Sequence, residues 1–493
     1  MRLTGIARAV ATTAVALATT VGVAAPGVAA AGEHGRNPLA GVWRTDGYGT
    51  VLVISGRQLT LYDVTGHSCV PAGTAAQAGE PAPGGATRYL QGLAGAVITP
   101  HGRRRAVEHG DGAAGTRSLE RIAALPDACT RPAPNDPLAV FDRFWEDFEE
   151  NYPFFATKGV DWHAARDTYR PRIGPATTVD ELQDVLIAML TPLHDAHTGI
   201  ARIVDGEPKG VYSGHRPGTL PRTEALVSAA RRNADAQLTG PERTFADDRL
   251  GVGQLPGGIG YLRVSSFKSY ADGDFQTWTA ELDRALDALL ADPDQLNGLV
   301  IDVRTNGGGS DVLGLQIASR LADRPYVAYR KVARDDPADA SRFTRPEPIV
   351  VRPADANRFT GPVAVLTSSL SASAAETFTQ ALMGRSPHVT RIGENTQGVF
   401  SDVMIRTISP DLMIGLPNEE FLAPDGSTFD GPGIPPDVRT PVFTDDELAG
   451  LRDSALSTAR RVLAEAAQGE DHRGEHSEEH GEEHAEAHRE DRP

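Results

Sequence analysis

Residues 361–382, GPVAVLTSSLSASAAETFTQAL, set a serine-rich turn between an apolar strand and an amphipathic helix. A serine at such a junction stands at a helix N-terminus, where unpaired N–H groups and the positive end of the helix dipole stabilise developing negative charge. Acyl transfer uses that property, because its tetrahedral intermediate carries an oxyanion. Serine is also a preferred helix cap, and on the turn alone capping is the commoner role. A second apolar strand, GLVIDVRT, runs into Asn306-Gly307-Gly308-Gly309. Such a run lets backbone N–H groups approach a ligand unobstructed, or makes a tight turn. It lacks the Lys-Ser/Thr ending of a phosphate loop. A hydroxyl nucleophile also needs a base, either a lysine of lowered pKa or a histidine. No lysine follows Lys331, which excludes a Ser–Lys pair within the segment after Ser373. His197, in LHDAHTGI, closes a helical region where a domain junction would present it; His194 and His388 compete for the role.

The elements around these residues follow from periodicity. Residues 38–130 alternate apolar and polar positions between glycine turns and read as a small β-rich domain, closed by the Pro-rich linker CTRPAPNDP. From 136 to 199 the spacing turns helical: Val140, Phe141, Phe144, Trp145 and Phe148 make one stripe and Leu182, Val185, Leu186 and Leu190 another. Asp136 and Pro137 supply an N-cap and a first-turn proline. Residues 200–255 are polar and Arg-rich and read as a connecting segment, mostly loop with one helix near 223–235. Residues 256–465 alternate strands at 259–267, 298–305 and 362–369 with helices near 275–291, 311–321 and 373–384, an α/β layered core.

The 493-residue chain is long enough for two to three domains. Residues 1–30 carry Arg2 and Arg8 ahead of an apolar run that ends in small residues, the pattern of a secretory signal cleaved after Ala30 or Ala31. No later stretch suits a membrane span. In an oxidising compartment the two cysteines, Cys69 and Cys129, are candidates for one disulfide, and cysteine catalysis is not indicated. The net charge is −18, with no basic cluster to bind nucleic acid. The tail 466–493 is Glu-rich and places His472, His476, His480, His484 and His488 at every fourth residue. It reads as disordered, with accessory transition-metal binding as the alternative if it is helical.

Four blocks then occur in order: FDRFWEDFEENYPFF…GVDW with its closing LHDAHT, IGYLRVSSF, IDVRTNGGG and SASAAE, continuing through IGENTQG to FDGPGIPPDV. Over about residues 138–440 they resemble the serine peptidase family of the carboxyl-terminal processing proteases, the tricorn protease core and the interphotoreceptor retinoid-binding protein. The resemblance implies a crotonase-like, ClpP-like α/β core of strand-strand-helix units behind a small helical bundle. It implies Ser373 as nucleophile, not Ser371, and an oxyanion hole from the N–H of Ala374 and one of Gly307 or Gly308. The lysine of the processing-protease branch is missing near Val399, so the chain resembles the tricorn-type branch, whose histidine base maps to His197. Asp430 matches that branch's acidic position, but Ala196 stands where the tricorn enzyme has serine. The resemblance thus leaves Asp430, Asp195 or Ser401 to orient the base, and Asp430 is equally a turn former. Glu376 reads as a stabiliser of the first helical turn.

The implied function is a secreted or envelope-associated serine peptidase acting on peptides or unfolded protein, with no cofactor and no active-site metal. The alternatives are a non-catalytic binder of hydrophobic ligands on the same fold, or an esterase. Only about sixty residues separate His197 from IGYLRV, too few for an inserted PDZ domain. The β-rich domain is a candidate for substrate recognition.

Overall fold

The computed structural model describes residues 37–450 and 452–466. The segment 1–30 and the tail histidines from His472 onward lie outside the described residues.

The alternating N-terminal strands close into an eight-stranded antiparallel barrel, from Gly41–Thr45 to Arg117–Ile122, with first and last strands paired. Leu39, Trp43, Leu52, Ile54, Tyr89 and Ile98 fill its interior. A disulfide joins Cys69 of the strand Cys69–Ala78 to Cys129, in the short turn after the barrel.

The helix Pro137–Asn151 starts where Asp136 accepts the Ala139 N–H at 3.2 Å. It buries Val140, Phe141, Phe144 and Phe148 against Leu182, Leu186 and Leu190 of the helix Val179–Leu190, with Phe154 and Trp162 in the same cluster. A Thr178–Glu181 capping box starts that second helix. The chain leaving it turns through Leu193 and His194 and presents Asp195 to His197.

The connecting segment 200–255 is more ordered than its polarity predicts. The helix Glu224–Asp235 is flanked by Gly199–Val204 and Glu207–Ser213 on one side and by Arg243–Phe245 and Leu250–Leu255 on the other. These strands hide from a period count because Pro208, Gly210, Gly251 and Gly253 interrupt them. The core therefore begins before residue 256.

Seven strands form the central sheet, in the order Arg243–Phe245, Leu250–Leu255, Ile259–Val264, Gly298–Asp302, Val363–Thr367, Val389–Gly393, Val438–Arg439. The last five run parallel. Parallel strands buried on both faces read as unbroken apolar runs. Here alternate residues feed two cores. Leu262, Leu299, Ile301, Val363 and Val365 pack under the helices Phe275–Leu289, Asp311–Ser319 and Ala374–Met383. Tyr261, Val300, Ala364 and Leu366 meet Ala230, Ala234, Leu456 and Leu463 on the other face.

The region read as one continuous core departs from that sheet at 403–422. Val403–Ser409 and Leu412–Pro417 form a hairpin that pairs with Gly199–Val204, making a four-stranded sheet against the helical segment. The chain after the nucleophile turn is thereby stitched to the chain that carries His197. Among the described residues no helix is long and apolar enough to cross a membrane.

Candidate active site

The parallel strands Gly298–Asp302 and Val363–Thr367 are neighbours in register, so the glycine turn and the serine turn emerge side by side at their carboxyl ends. Four serines occupy the second turn, and three hydroxyls are spent on structure. Ser368 Oγ donates to the Arg304 carbonyl at 2.6 Å, Ser371 Oγ donates to the Val303 carbonyl at 2.9 Å, and Ser369 Oγ accepts the Leu220 N–H at 3.4 Å. Ser373 differs. It stands at the N-cap of Ala374–Met383 with φ 58° and ψ −124°, and although Glu376 reaches back to its N–H as in a capping box, the Glu376 N–H donates to the Ser373 carbonyl at 2.7 Å and not to its hydroxyl. A non-glycine residue in that region carries strain, which persists only where its surroundings hold it.

Glu376 supplies that hold. Its carboxylate accepts the N–H groups of Ser373 at 3.1 Å, Gly398 at 2.6 Å and Val399 at 2.9 Å, tying the turn to the following loop. Burial pushes its carboxyl up to about 7, against the hydrogen bonds from Thr396 and these amides, which pull it down. Glu376 thus does more than stabilise a first helical turn.

The glycine turn packs directly on the nucleophile. A Cβ on Gly308 would lie 2.5 Å from Ser373 Cβ and 3.0 Å from Oγ, and Gly308 has φ +96°. Its N–H is occupied by Asn306 Oδ1 at 2.8 Å. Among the described residues the N–H groups of Gly307 and Ala374 have no acceptor, the latter because it heads its helix.

His197 approaches from the helical side. The Val399 carbonyl accepts the Ser373 N–H at 3.1 Å, and the His197 ring lies against the backbone of Ser401. Two residues span at most about 7 Å, so both side chains border one short stretch of chain. Burial pulls the imidazole pKa below its ordinary value, opposed by the charges of Asp195 and Asp402 and by the Ser401 backbone, and assisted by Lys158. Neutral imidazole is the form a general base requires. His194 is exposed, and His388 sits on Asp437 at 3.1 Å, paired away from this stretch.

The acidic candidates are all buried beside the base, but none bonds its ring. Asp195 accepts the His197 backbone N–H at 2.8 Å and the Tyr152 hydroxyl at 2.9 Å. Asp430 accepts the Phe400 N–H at 3.2 Å. Its carboxyl is held well above the usual range by burial and then by the charge of Asp195. The Ser401 hydroxyl is consumed by the Asp402 carbonyl at 2.6 Å and by the N–H groups of Asn418 and Glu419, both at 2.9 Å, so only its backbone faces the base. His197 Nδ1 is buried with no partner among the described residues.

Two supports were not legible in the sequence. The segment 213–222 passes over the site, as the Ser213 Oγ bond to the Ala196 carbonyl at 2.7 Å and the Arg222 Nε bond to the Thr305 carbonyl at 3.1 Å show. The barrel also reaches in. Ser310, next to the glycine turn, donates to the Gly112 carbonyl at 2.6 Å. Buried Lys331 binds the Ala114 carbonyl at 3.1 Å, Asp402 at 2.8 Å and Glu419 at 3.1 Å, and Tyr48 donates to Glu419 at 2.6 Å. The scarcity of lysine was the one available signal. The chain has four, and Lys158, Lys268 and Lys331 all adjoin the site or its supports. Among the described residues no group of three metal-ligating side chains converges.

Comparison with known proteins places this geometry. Residues 258–440 match the profile of Peptidase family S41, and residues 134–191 match the tricorn protease C1 domain. Carboxy-terminal processing protease CtpB of Bacillus subtilis (strain 168) is 25% identical over 220 residues, 44% of this chain and 40% of the relative's length. The crystal structure of a candidate peptidase from Parabacteroides merdae ATCC 43184 covers 67% of this chain and 97% of its own, with 26% identity and a TM-score of 0.56. The matched regions contain both turns and the helices that lead to His197: residues 258–440 carry the pattern of the serine-type peptidase family S41, and residues 134–191 that of a tricorn C1 segment ahead of it.

Proposed function

We propose that this protein is an exported peptidase that hydrolyses peptide bonds through a Ser373 acyl-enzyme, with His197 as general base. The observation that carries the reading is the contrast within the serine turn, where Ser373 alone is not committed to a structural hydrogen bond. In the forward step His197 takes the Ser373 proton as Oγ attacks the scissile carbonyl carbon. The oxyanion so formed is received by the N–H groups of Ala374 and Gly307; Gly308 serves by leaving room, since its own N–H is bonded to Asn306. Collapse returns the proton from His197 to the leaving amine, and a water activated by the same imidazole then releases the acyl group.

Asp195 and Asp430 are the acidic partners. Burial and then the charge of Asp195 raise the Asp430 carboxyl above its usual range, while Asp195 accepts the His197 N–H and so holds the backbone that carries the base. Export is supported by the leader pattern at 1–30 and the Cys69–Cys129 disulfide. The parallel sheet with helices on both faces suits the crotonase-like core that the family resemblance implies.

The test is fluorophosphonate labelling of the mature protein read by peptide mass spectrometry, beside Ser373→Ala and His197→Ala. Labelling at Ser373 that requires His197, with peptide cleavage lost in both variants, is the expected result. Cleavage retained by Ser373→Ala sinks the assignment. Absence of labelling together with tight binding of fatty-acid or retinoid-like ligands replaces it with the binding-protein reading.

A further inference from the structure

The barrel meets the helical segment and the core through the turns at one of its ends. There Tyr48 donates to Glu419 at 2.6 Å, Thr65 and Gly66 donate to Glu146 at 2.8 Å and to Glu150 at 2.7 Å, and Gly112 accepts the Ser310 hydroxyl at 2.6 Å. Successive hairpins of an antiparallel barrel alternate between its ends, so the chain start at Asn37 and the turns at 56–57, 79–86 and 102–104 gather at the other. Side chains fasten these pieces together. Asn37 Nδ2 donates to the Gly56 carbonyl at 3.3 Å, and Arg121 donates to the carbonyls of Pro38 at 2.6 Å and Arg103 at 2.7 Å. Gly85 packs beside them, since a Cβ there would lie 2.9 Å from Pro38 Cγ and 3.1 Å from Pro100 Cγ.

This outer end is cationic, in a protein whose net charge is −18. Around the 102–104 turn the chain reads His101-Gly102-Arg103-Arg104-Arg105, its one run of three basic residues. All three arginines are exposed, and among the described residues none closes an ion pair. Glu80, on a neighbouring turn, is taken by Arg57 at 3.1 Å, and Glu120 stands opposite Arg105 in register without closing a pair. Exposed Pro38, Pro81, Ala82 and Pro83 add small uncharged surfaces at the same end. Residues 1–36, with their leader pattern, join the barrel here as well. The acidic bulk of the molecule does not cancel these arginines. The strand Ala94–His101 has 8 residues, and at about 3.3 Å each with a barrel's tilt it sets the core roughly 20 Å behind them. Charge is screened over about 10 Å at 0.1 M salt, so a surface touching this end meets the arginines and not the net charge.

We propose that the outer end of the barrel, through Arg103, Arg104 and Arg105, docks the protein on an anionic lipid surface. Guanidinium groups pair well with phosphate headgroups, since each offers parallel donors. The uncharged rim of Pro38, Pro81, Ala82 and Pro83 settles among those headgroups, where a mixed cationic and apolar surface is favoured. The proposal does not depend on the Ser373 assignment, because it concerns where the protein sits and not what it cuts. Docked in this way, the barrel stands between the lipid and the active-site turns, which its opposite end braces through Ser310.

Co-sedimentation of the mature protein, without residues 1–30, with lipid vesicles tests the surface. Vesicles of phosphatidylcholine alone would be compared with vesicles in which about a third of the lipid is phosphatidylglycerol. At low salt the protein should partition at least about tenfold more strongly onto the anionic vesicles, and salt raised to about 0.3 M should remove the difference. The Arg103→Gln/Arg104→Gln/Arg105→Gln variant should fall to the neutral-vesicle level with its melting temperature unchanged. Arg243→Gln/Arg324→Gln/Arg345→Gln removes the same charge from exposed positions of the core and should partition as the parent does. Equal partitioning onto both vesicles, equal loss in the two triple variants, or capture by soluble polyphosphate with none by vesicles overturns the lipid-docking surface.

Discussion

At the scale of single residues the site depends on a contact that admits no substituent. Gly308 combines a positive φ with a missing Cβ that would sit 2.5 Å from Ser373 Cβ. Gly308→Ala therefore has to displace the nucleophile as well as bear backbone strain. A folded variant should lose about a hundredfold in fluorophosphonate labelling rate, the typical effect of misplacing a reacting group by an ångström. Its stability should fall by about 1–3 kcal/mol in denaturant titration. The base makes a pH prediction. With the His197 pKa lowered from its ordinary 6.5 by burial, against Asp195 and Asp402 and with Lys158, the imidazole stays neutral into mildly acidic solution. Activity that needs the neutral base should survive as pH falls through 6.5 and decline only below it. A kcat/KM profile whose acid limb lies at or above 6.5 would contradict the burial argument.

The elements show how the barrel takes part. Its 110–117 loop touches the supports of both halves of the site, through Ser310 beside the glycine turn and through Lys331 and Asp402 beside the base. Lys331→Met would strand the buried carboxylate of Glu419 and unpair the partly exposed Asp402. Breaking such a cluster costs about 3–5 kcal/mol, visible as a lowered melting temperature and as faster proteolysis between barrel and core. If the brace acts on the site, the Ser373 labelling rate falls as well, whereas Arg57→Gln, which breaks the exposed Arg57–Glu80 pair of the barrel outside that loop, leaves that rate near the parent's. This brace was invisible in sequence, because its barrel-to-core bonds join residues 198, 217 and 371 positions apart and two of them end on backbone carbonyls. The apolar strands, the amphipathic helices and both chemical turns were legible, since each is encoded within about twenty consecutive residues. The strands at 199–213 and 243–255 were not, because glycine and proline break their alternation and their partners are distant. Closure of the β-rich region into a barrel was equally hidden, being a property of eight strands together.

Over the whole molecule, the barrel meets the core through polar contacts such as those of Ser310 and Lys331, whereas the helical segment packs on the 403–417 hairpin through the apolar Ile408, Leu412, Ile414 and Leu416. The disulfide ties the barrel to the linker that leads into the first helix and closes a loop with a sequence separation of 60. On the chain-entropy account, opening it removes about 4 kcal/mol from the barrel. Chemical denaturation with and without reductant should show that loss in the barrel's transition and little change in the core's. The closed barrel has one more consequence. A reader domain that grips an extended peptide by adding it as a strand needs an unpaired sheet edge, and a closed barrel has none to offer. Any contribution of this module to choosing substrates must come through its loops and side chains. Register and backbone pairing, the sequence-blind part of peptide capture, fall to open edges elsewhere, such as Glu207–Ser213, whose chain continues directly into the segment that crosses the cleft.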